Sequence, residues 1–294
     1  MFSAQDVKKL RDQTGAGMLD CKKALDACKG NIDEAMAWLR EKGISKAQKK
    51  AERIAAEGIS IAMGNDNIAA IGEINCETDF VAKNEEFKKT SFNIVKTIMS
   101  NPTVKTIEEA NNLKLEDSDQ TIGEAVIALT AKLGEKISFR RFEVVEKKDN
   151  EVFGIYSHMG GRITGLVVLS DTDRDVARDV AMHLAAMNPK YLNKDEVPSE
   201  VLDKEKEIMK TQLINEGKPE NRIEQILIGK VNKFYEEVCL ENQIFIKAEN
   251  KESVGKYVAN NGGTIVKMVR YEVGEGIEKR NEDFAAEVSK QINA

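Results

Sequence analysis

The chain has 294 residues, enough for two or more compact units with cores of their own. Its hydrophobic content of 41% and charged content of 32% are those of an ordinary soluble protein, and no apolar run approaches a membrane span. The net charge of −6 is unevenly spread: residues 1–56 hold 12 Lys/Arg against 8 Asp/Glu, a net of +4, which leaves −10 for the rest.

The opening stretch MFSAQDVKKLRDQTG lacks the apolar centre of a signal peptide, so a cytoplasmic setting is expected. Ser3 can cap a first helix running to Thr14, with Val7 and Leu10 inward. Gly15-Ala16-Gly17 breaks it, and a second helix follows from Met18 to Cys28. Asn31 caps a third, whose Ile32, Ala35, Met36 and Leu39 recur at helical spacing, and Gly43 is read as its end. Residues 1–44 are thus expected to form a small three-helix domain, and the charged, Ala-rich residues 45–56 a helical connector.

Beyond the connector the chain repeats itself. EGISIAMGNDNIAAIGEINCETD (57–79) reads as two strands around a polar turn, and FGIYSHMGGRITGLVVLSDTD (153–173) has the same pattern around Met-Gly-Gly-Arg. Each pair ends in a polar step followed by a helix, and ISFRRFEVVE (137–146) is echoed by IVKMVRYEVGE (265–275). The pattern predicts an α+β fold with a duplicated core: subdomain 1 over residues 57–146, subdomain 2 over 147–197 and 243–275. Residues 198–242 interrupt the second copy with two helical runs about Gly217-Lys218-Pro219, an inserted antiparallel hairpin of coiled-coil type. Residues 276–294 read as a C-terminal amphipathic helix.

No catalytic constellation emerges. The chain has no Walker-type phosphate loop, and its four cysteines and two histidines show neither zinc-ligand spacing nor a nucleophile–base pairing. No covalent chemistry, cofactor, metal or small-molecule substrate is expected, which leaves binding.

The stretch INCETDFVAKNEEF (74–87) raises a specific question, because it sets Phe80 at a strand-to-helix corner in a chain poor in aromatics. Taken locally, Phe80 is a core residue closing that corner, with Asp79 or Thr78 capping the next turn. The internal repeat argues otherwise, since the second copy has Arg174 at the equivalent place, a residue that a core position would reject. Both readings stand at this point.

Three separated segments resemble the bacterial elongation factor Ts family over essentially the whole length: VKKLRDQTGAGMLDCKKAL (7–25), INCETDFVAKNEEF (74–87) and RYEVGEGIEKRNEDFAAEV (270–288). The resemblance implies guanine-nucleotide exchange on elongation factor Tu, with a ubiquitin-associated-like N-terminal domain. It also implies that Thr78, Asp79, Phe80 and Val81 insert into the partner's nucleotide-binding domain, displace magnesium and promote GDP release so that GTP can rebind. Arg11, Met18 and Leu19 would grip the same partner domain, and His158 would touch another. The alternatives are an RNA- or ribosome-binding protein, suggested by the basic run Lys46, Lys49, Lys50 and Arg53, and a scaffold without exchange activity. Direct nucleic-acid binding is not expected, because aromatics are not interleaved with the basic residues; nor is a membrane partner.

Overall fold

A computed structural model describes residues 2–278 and has mixed helix and sheet. The expected C-terminal helix lies, from residue 279 onward, outside the described residues. The chain divides into two compact units. One is drawn from Met1–Ile61, Gly72–Glu143 and Glu272–Ala294, the other from Ala62–Ile71 and Val144–Tyr271.

The first unit opens with α1 (Ala4–Thr14), α2 (Met18–Ala27) and α3 (Ile32–Gln48). Ser3 and Asp6 form a reciprocal capping box that starts α1, and Gly15 ends it at φ 66°. Asn31 caps α3 by accepting from the Asp33 and Glu34 N–H groups. Val7, Leu10, Cys21, Ala24, Leu25 and Ala35 pack into one small core. The stop expected at Gly43 does not occur. Gly43 is buried within α3, where an added Cβ would meet the Ala131 Cβ at 3.6 Å. A glycine costs a helix interior about 1 kcal/mol, and this close packing offsets it. Residues 49–53, expected as part of a helical connector, form turns instead.

The strands β1 (Glu57–Gly64) and β2 (Ile68–Cys76) follow, then α4 (Asp79–Ala82), α5 (Glu85–Met99), α6 (Ile107–Asn111), α7 (Ile122–Leu133) and β3 (Ser138–Glu146). The sheet order is β1-β2-β3, and the central β2 is buried at every position after its first. The α5 helix turns Phe87, Ile94, Val95 and Ile98 inward, four residues at helical spacing. Among the described residues of this unit one charge is buried. The fully buried Glu73 accepts from Arg140 Nη1 (3.0 Å), Asn75 Nδ2 (3.0 Å) and the Gly274 N–H (2.9 Å) through one oxygen, and from Arg141 Nε (2.6 Å) through the other. Burial pushes the Glu73 carboxyl up, but the Gly274 N–H, Arg141 and Asn75 outweigh it and hold the group below the ordinary carboxylate range.

The second unit is built on β4 (Glu151–His158), β5 (Ile163–Ser170) and, after the helices, β6 (Thr264–Glu272), in the order β4-β5-β6. β4 and β5 are antiparallel, with Glu151 opposite Ser170 and His158 opposite Ile163. The two-residue period divides β5 between two clusters: Val167 and Leu169 pack with α8 (Arg174–Met187), while Leu166 and Val168 pack with Ala69, Ile71, Val145 and Val269. Glycines let α8 approach the sheet. A Cβ at Gly154 would fall 2.0 Å from the Ala177 carbonyl oxygen, and one at Gly165 2.7 Å from that of Ala181.

The helices α9 (Ser199–Asn215) and α10 (Glu220–Val238) pack on each other across the turn at Gly217, with Leu213, Ile223 and Leu227 buried. The chain then returns through Gln243 to α11 (Val254–Asn260). That return is held by His183, which is wholly buried on α8. The Ile246 N–H donates to His183 Nδ1 at 3.1 Å, so the ring proton sits on Nε2 and is given to Gln243 Oε1 at 3.0 Å. Gln243 Nε2 in turn donates to the Glu237 carbonyl at 2.9 Å.

Two predictions test this packing. Gly154→Ala places a methyl against backbone that cannot swing aside, and is expected to cost about 3 kcal/mol or more in a denaturant melt; an unchanged midpoint would contradict the close approach. Burial lowers the His183 pKa, the bond to Gln243 opposing only in part. A protonated ring would also point a second N–H at the Ile246 N–H. The stability His183 contributes is therefore complete above the ordinary histidine value of about 6.5 and declines as pH falls below it. Proton NMR should show the His183 ring titrating below that value, and a value at or above it would contradict the buried neutral ring.

Candidate functional site

The site begins where β2 leaves the core. Cys76 is fully buried; burial, followed by the charge of Glu135, pushes its thiol up to about 12. It stays protonated and donates to the Thr78 carbonyl oxygen at 3.1 Å. Thr78 is then the cap of α4, accepting from the Val81 N–H at 3.3 Å. The single turn closes through bonds from the Ala82 N–H to the Thr78 oxygen and from the Lys83 N–H to the Asp79 oxygen. Asn84 caps α5 at once by accepting from the Glu86 and Phe87 N–H groups. Two caps in quick succession turn the chain outward and return it to the core at Phe87, which is completely buried.

Phe80 lies on the outer side of that turn and is 82% exposed. The core reading of Phe80 is therefore excluded; Phe87 is the aromatic that anchors this corner. Asp79 is exposed and paired with Lys83 at 2.6 Å, and that hydrogen bond holds its carboxyl below the ordinary range. Val81 is half-buried. Arg174, the counterpart of Phe80 in the repeat, begins α8, is exposed, and reaches Asp66 at 3.4 Å. The two corners thus agree in pointing this position at solvent.

The corner is braced from the loop after α7. Glu135 accepts from the Glu77 N–H (3.1 Å) and the Thr78 N–H (3.0 Å) with one oxygen, and from the Thr78 hydroxyl (2.6 Å) with the other. Glu77 returns the arrangement by accepting from the Lys136 N–H at 2.6 Å, and Arg53 pairs with it at 3.3 Å. Sequence reasoning missed Glu135 because its partners lie 57 and 58 residues away and no local spacing announces them.

The other expected contact residues are also at the surface. Met18 is 48% and Leu19 75% exposed at the start of α2, and Arg11 is exposed in the last turn of α1. These three and Thr78–Val81 belong to the first compact unit. His158 belongs to the second, exposed at the end of β4, with its Nδ1 3.4 Å from the Tyr156 hydroxyl. Beside it Met159 is 71% exposed at φ 49°, an apolar side chain in a left-handed turn that the pattern of the segment did not single out. Phe80, Met18, Leu19 and Met159 are thus large apolar side chains left at the surface, and of these Phe80 sits on a turn with a side-chain cap. Among the described residues no cluster of His, Cys, Asp or Glu is placed to hold a metal ion, and no helix is long and apolar enough to cross a membrane.

The family described as Elongation factor TS matches residues 77–275, a span that opens at the braced Glu77 and closes at Glu275. Elongation factor Ts of Pediococcus pentosaceus is 49% identical over 292 residues, covering 99% of this chain and 98% of that protein. Elongation factor Ts of Limosilactobacillus reuteri is 48% identical over 292 residues, with 99% of each chain covered. With half of all positions shared from end to end, the chain belongs to the elongation factor Ts family.

Proposed function

We propose that the chain is a guanine-nucleotide exchange factor for elongation factor Tu, and that Thr78–Val81 is the element it inserts into that partner's nucleotide-binding domain. The observation that carries this reading is the 82% exposure of Phe80 on a turn whose backbone is capped and braced. A large aromatic held out of its own core gains by burial only when another surface receives it. Phe supplies that contact area with few rotors to fix.

The mechanism requires no bond to be made or broken. Elongation factor Tu holds GDP and magnesium through backbone donors, a lysine and the charge of the ion. A factor that binds the partner better without nucleotide weakens nucleotide binding by the same factor, since the linkage is reciprocal. Phe80, buried only in the opened partner, favours the state from which magnesium and GDP have left, and GTP then rebinds. Full burial of one phenylalanine contributes about 2–3 kcal/mol, which limits its own share of the coupling to roughly 30–150-fold. Remaining affinity would come from surfaces insensitive to nucleotide: Arg11, Met18 and Leu19 on the N-terminal helices, and His158 on the second unit.

Phe80→Ala separates the wedge from a structural role. The substitution is expected to change unfolding free energy by no more than about 0.5 kcal/mol, while lowering kcat/KM for release of a fluorescent GDP from elongation factor Tu about 10–100-fold. A variant that melts early yet releases GDP at the full rate per folded molecule would contradict the proposal. Leu19→Ser is expected to raise KM about tenfold with kcat kept, because it removes contact that is equal in both states. A fall in kcat at unchanged KM would place Leu19 in the opening step instead.

A further inference from the structure

Thr78 and its hydroxyl occupy the middle of a relay whose far end is Phe80. An ionised carboxylate can only accept, so the Thr78 hydroxyl proton must point at Glu135 Oε1, 2.6 Å away. That orientation leaves a hydroxyl lone pair free for the Val81 N–H, the bond that closes the turn carrying Phe80. The other Glu135 oxygen takes the Glu77 and Thr78 N–H groups together, fixing the backbone on the entry side. Glu135 itself stands on rigid footing. Gly134 ends α7 in the left-handed conformation, the Ile137 N–H is tied to the hydroxyl of the buried Thr130 at 3.2 Å, and Lys136 Nζ donates to the Ala51 and Arg53 carbonyls at 2.7 and 2.9 Å.

The corner has anchors besides this brace. Cys76 and Phe87 anchor the two ends of the corner in the core without it, and Asn84 starts α5 unaided. What the Glu135 carboxylate adds is direction. We propose that Glu135 is a positioning residue for nucleotide exchange, holding the turn so that Phe80 projects at one fixed angle. This role rests on the reading of Phe80 as the wedge.

The test is a double-mutant cycle read by GDP release from elongation factor Tu, using the full chain throughout. Glu135→Gln keeps the shape but replaces one acceptor oxygen with a donor facing N–H or O–H groups. It is expected to lower kcat about tenfold at nearly constant KM, with a melting temperature within about 2–4 °C of the unmodified chain. In a Phe80→Ala background the same substitution should change kcat hardly at all, because there is no longer a ring to aim. Thr78→Val should behave like Glu135→Gln, and Thr78→Ser, which keeps the hydroxyl, should exchange near the full rate. Equal losses in both backgrounds would overturn the proposal by showing that Glu135 acts independently of Phe80. So would a full rate for Glu135→Gln where Phe80→Ala alone is impaired, and that result would leave the wedge itself standing. A full rate for Phe80→Ala would overturn wedge and positioning role together.

Discussion

Between Cys76 and Phe87 the chain leaves the core, turns and comes back, and the carboxylate of Glu135 takes three hydrogen bonds from the start of that excursion. The constraint is physical: an exposed phenylalanine lowers its free energy by folding down onto any apolar surface within reach, at about 25 cal/mol per Å² covered. Keeping it 82% exposed requires a backbone with no freedom to collapse. The Thr78 and Asn84 caps provide this along the chain, and Glu135 and Glu77 across it, each accepting main-chain N–H groups of the other's loop. Everything proposed about exchange depends on that stiffness, since a yielding side chain could not distinguish an open partner from a closed one.

Each unit supplies stiffness by different means. In the first, a buried carboxylate is surrounded by two guanidinium groups, an amide and a main-chain N–H, so that Glu73 ties β2, β3 and the turn at Gly274 through charge. Removing one partner from such a group is costly because the remaining charge is stranded away from water. The second unit combines close contact with neutral hydrogen bonds. Gly154 and Gly165 remove the side chains that would hold α8 off the sheet, and a neutral His183 closes the return from α9 and α10.

Much of this was legible in the residues alone, and the failures have identifiable causes. The caps Ser3 and Asn31, the strand pairs expected within 57–79 and 153–173 and the helical runs on either side of Gly217 follow from short-range rules. Gly43 misled because a helix-breaking propensity of about 1 kcal/mol yields to packing against Ala131, a contact no local window contains. Phe80 was ambiguous because local rules read an aromatic at a strand-to-helix corner as core; the repeat weakened that reading through Arg174 without deciding it, and the exposure of Phe80 decides it. Glu135 was invisible for the simplest reason. Side chains that accept main-chain N–H groups across a fold leave no periodicity and no spacing to read.

The central claim is that Phe80 is received by elongation factor Tu, and received best when nucleotide is absent. A photo-crosslinking phenylalanine analogue incorporated at position 80 tests this directly, with elongation factor Tu irradiated in the nucleotide-free state and at saturating GDP and magnesium. The account predicts a crosslink into the nucleotide-binding domain that is strong without nucleotide and suppressed by GDP and magnesium in parallel with dissociation of the complex. A complex that forms normally but gives no crosslink from position 80, or one of equal strength in both states, would contradict it.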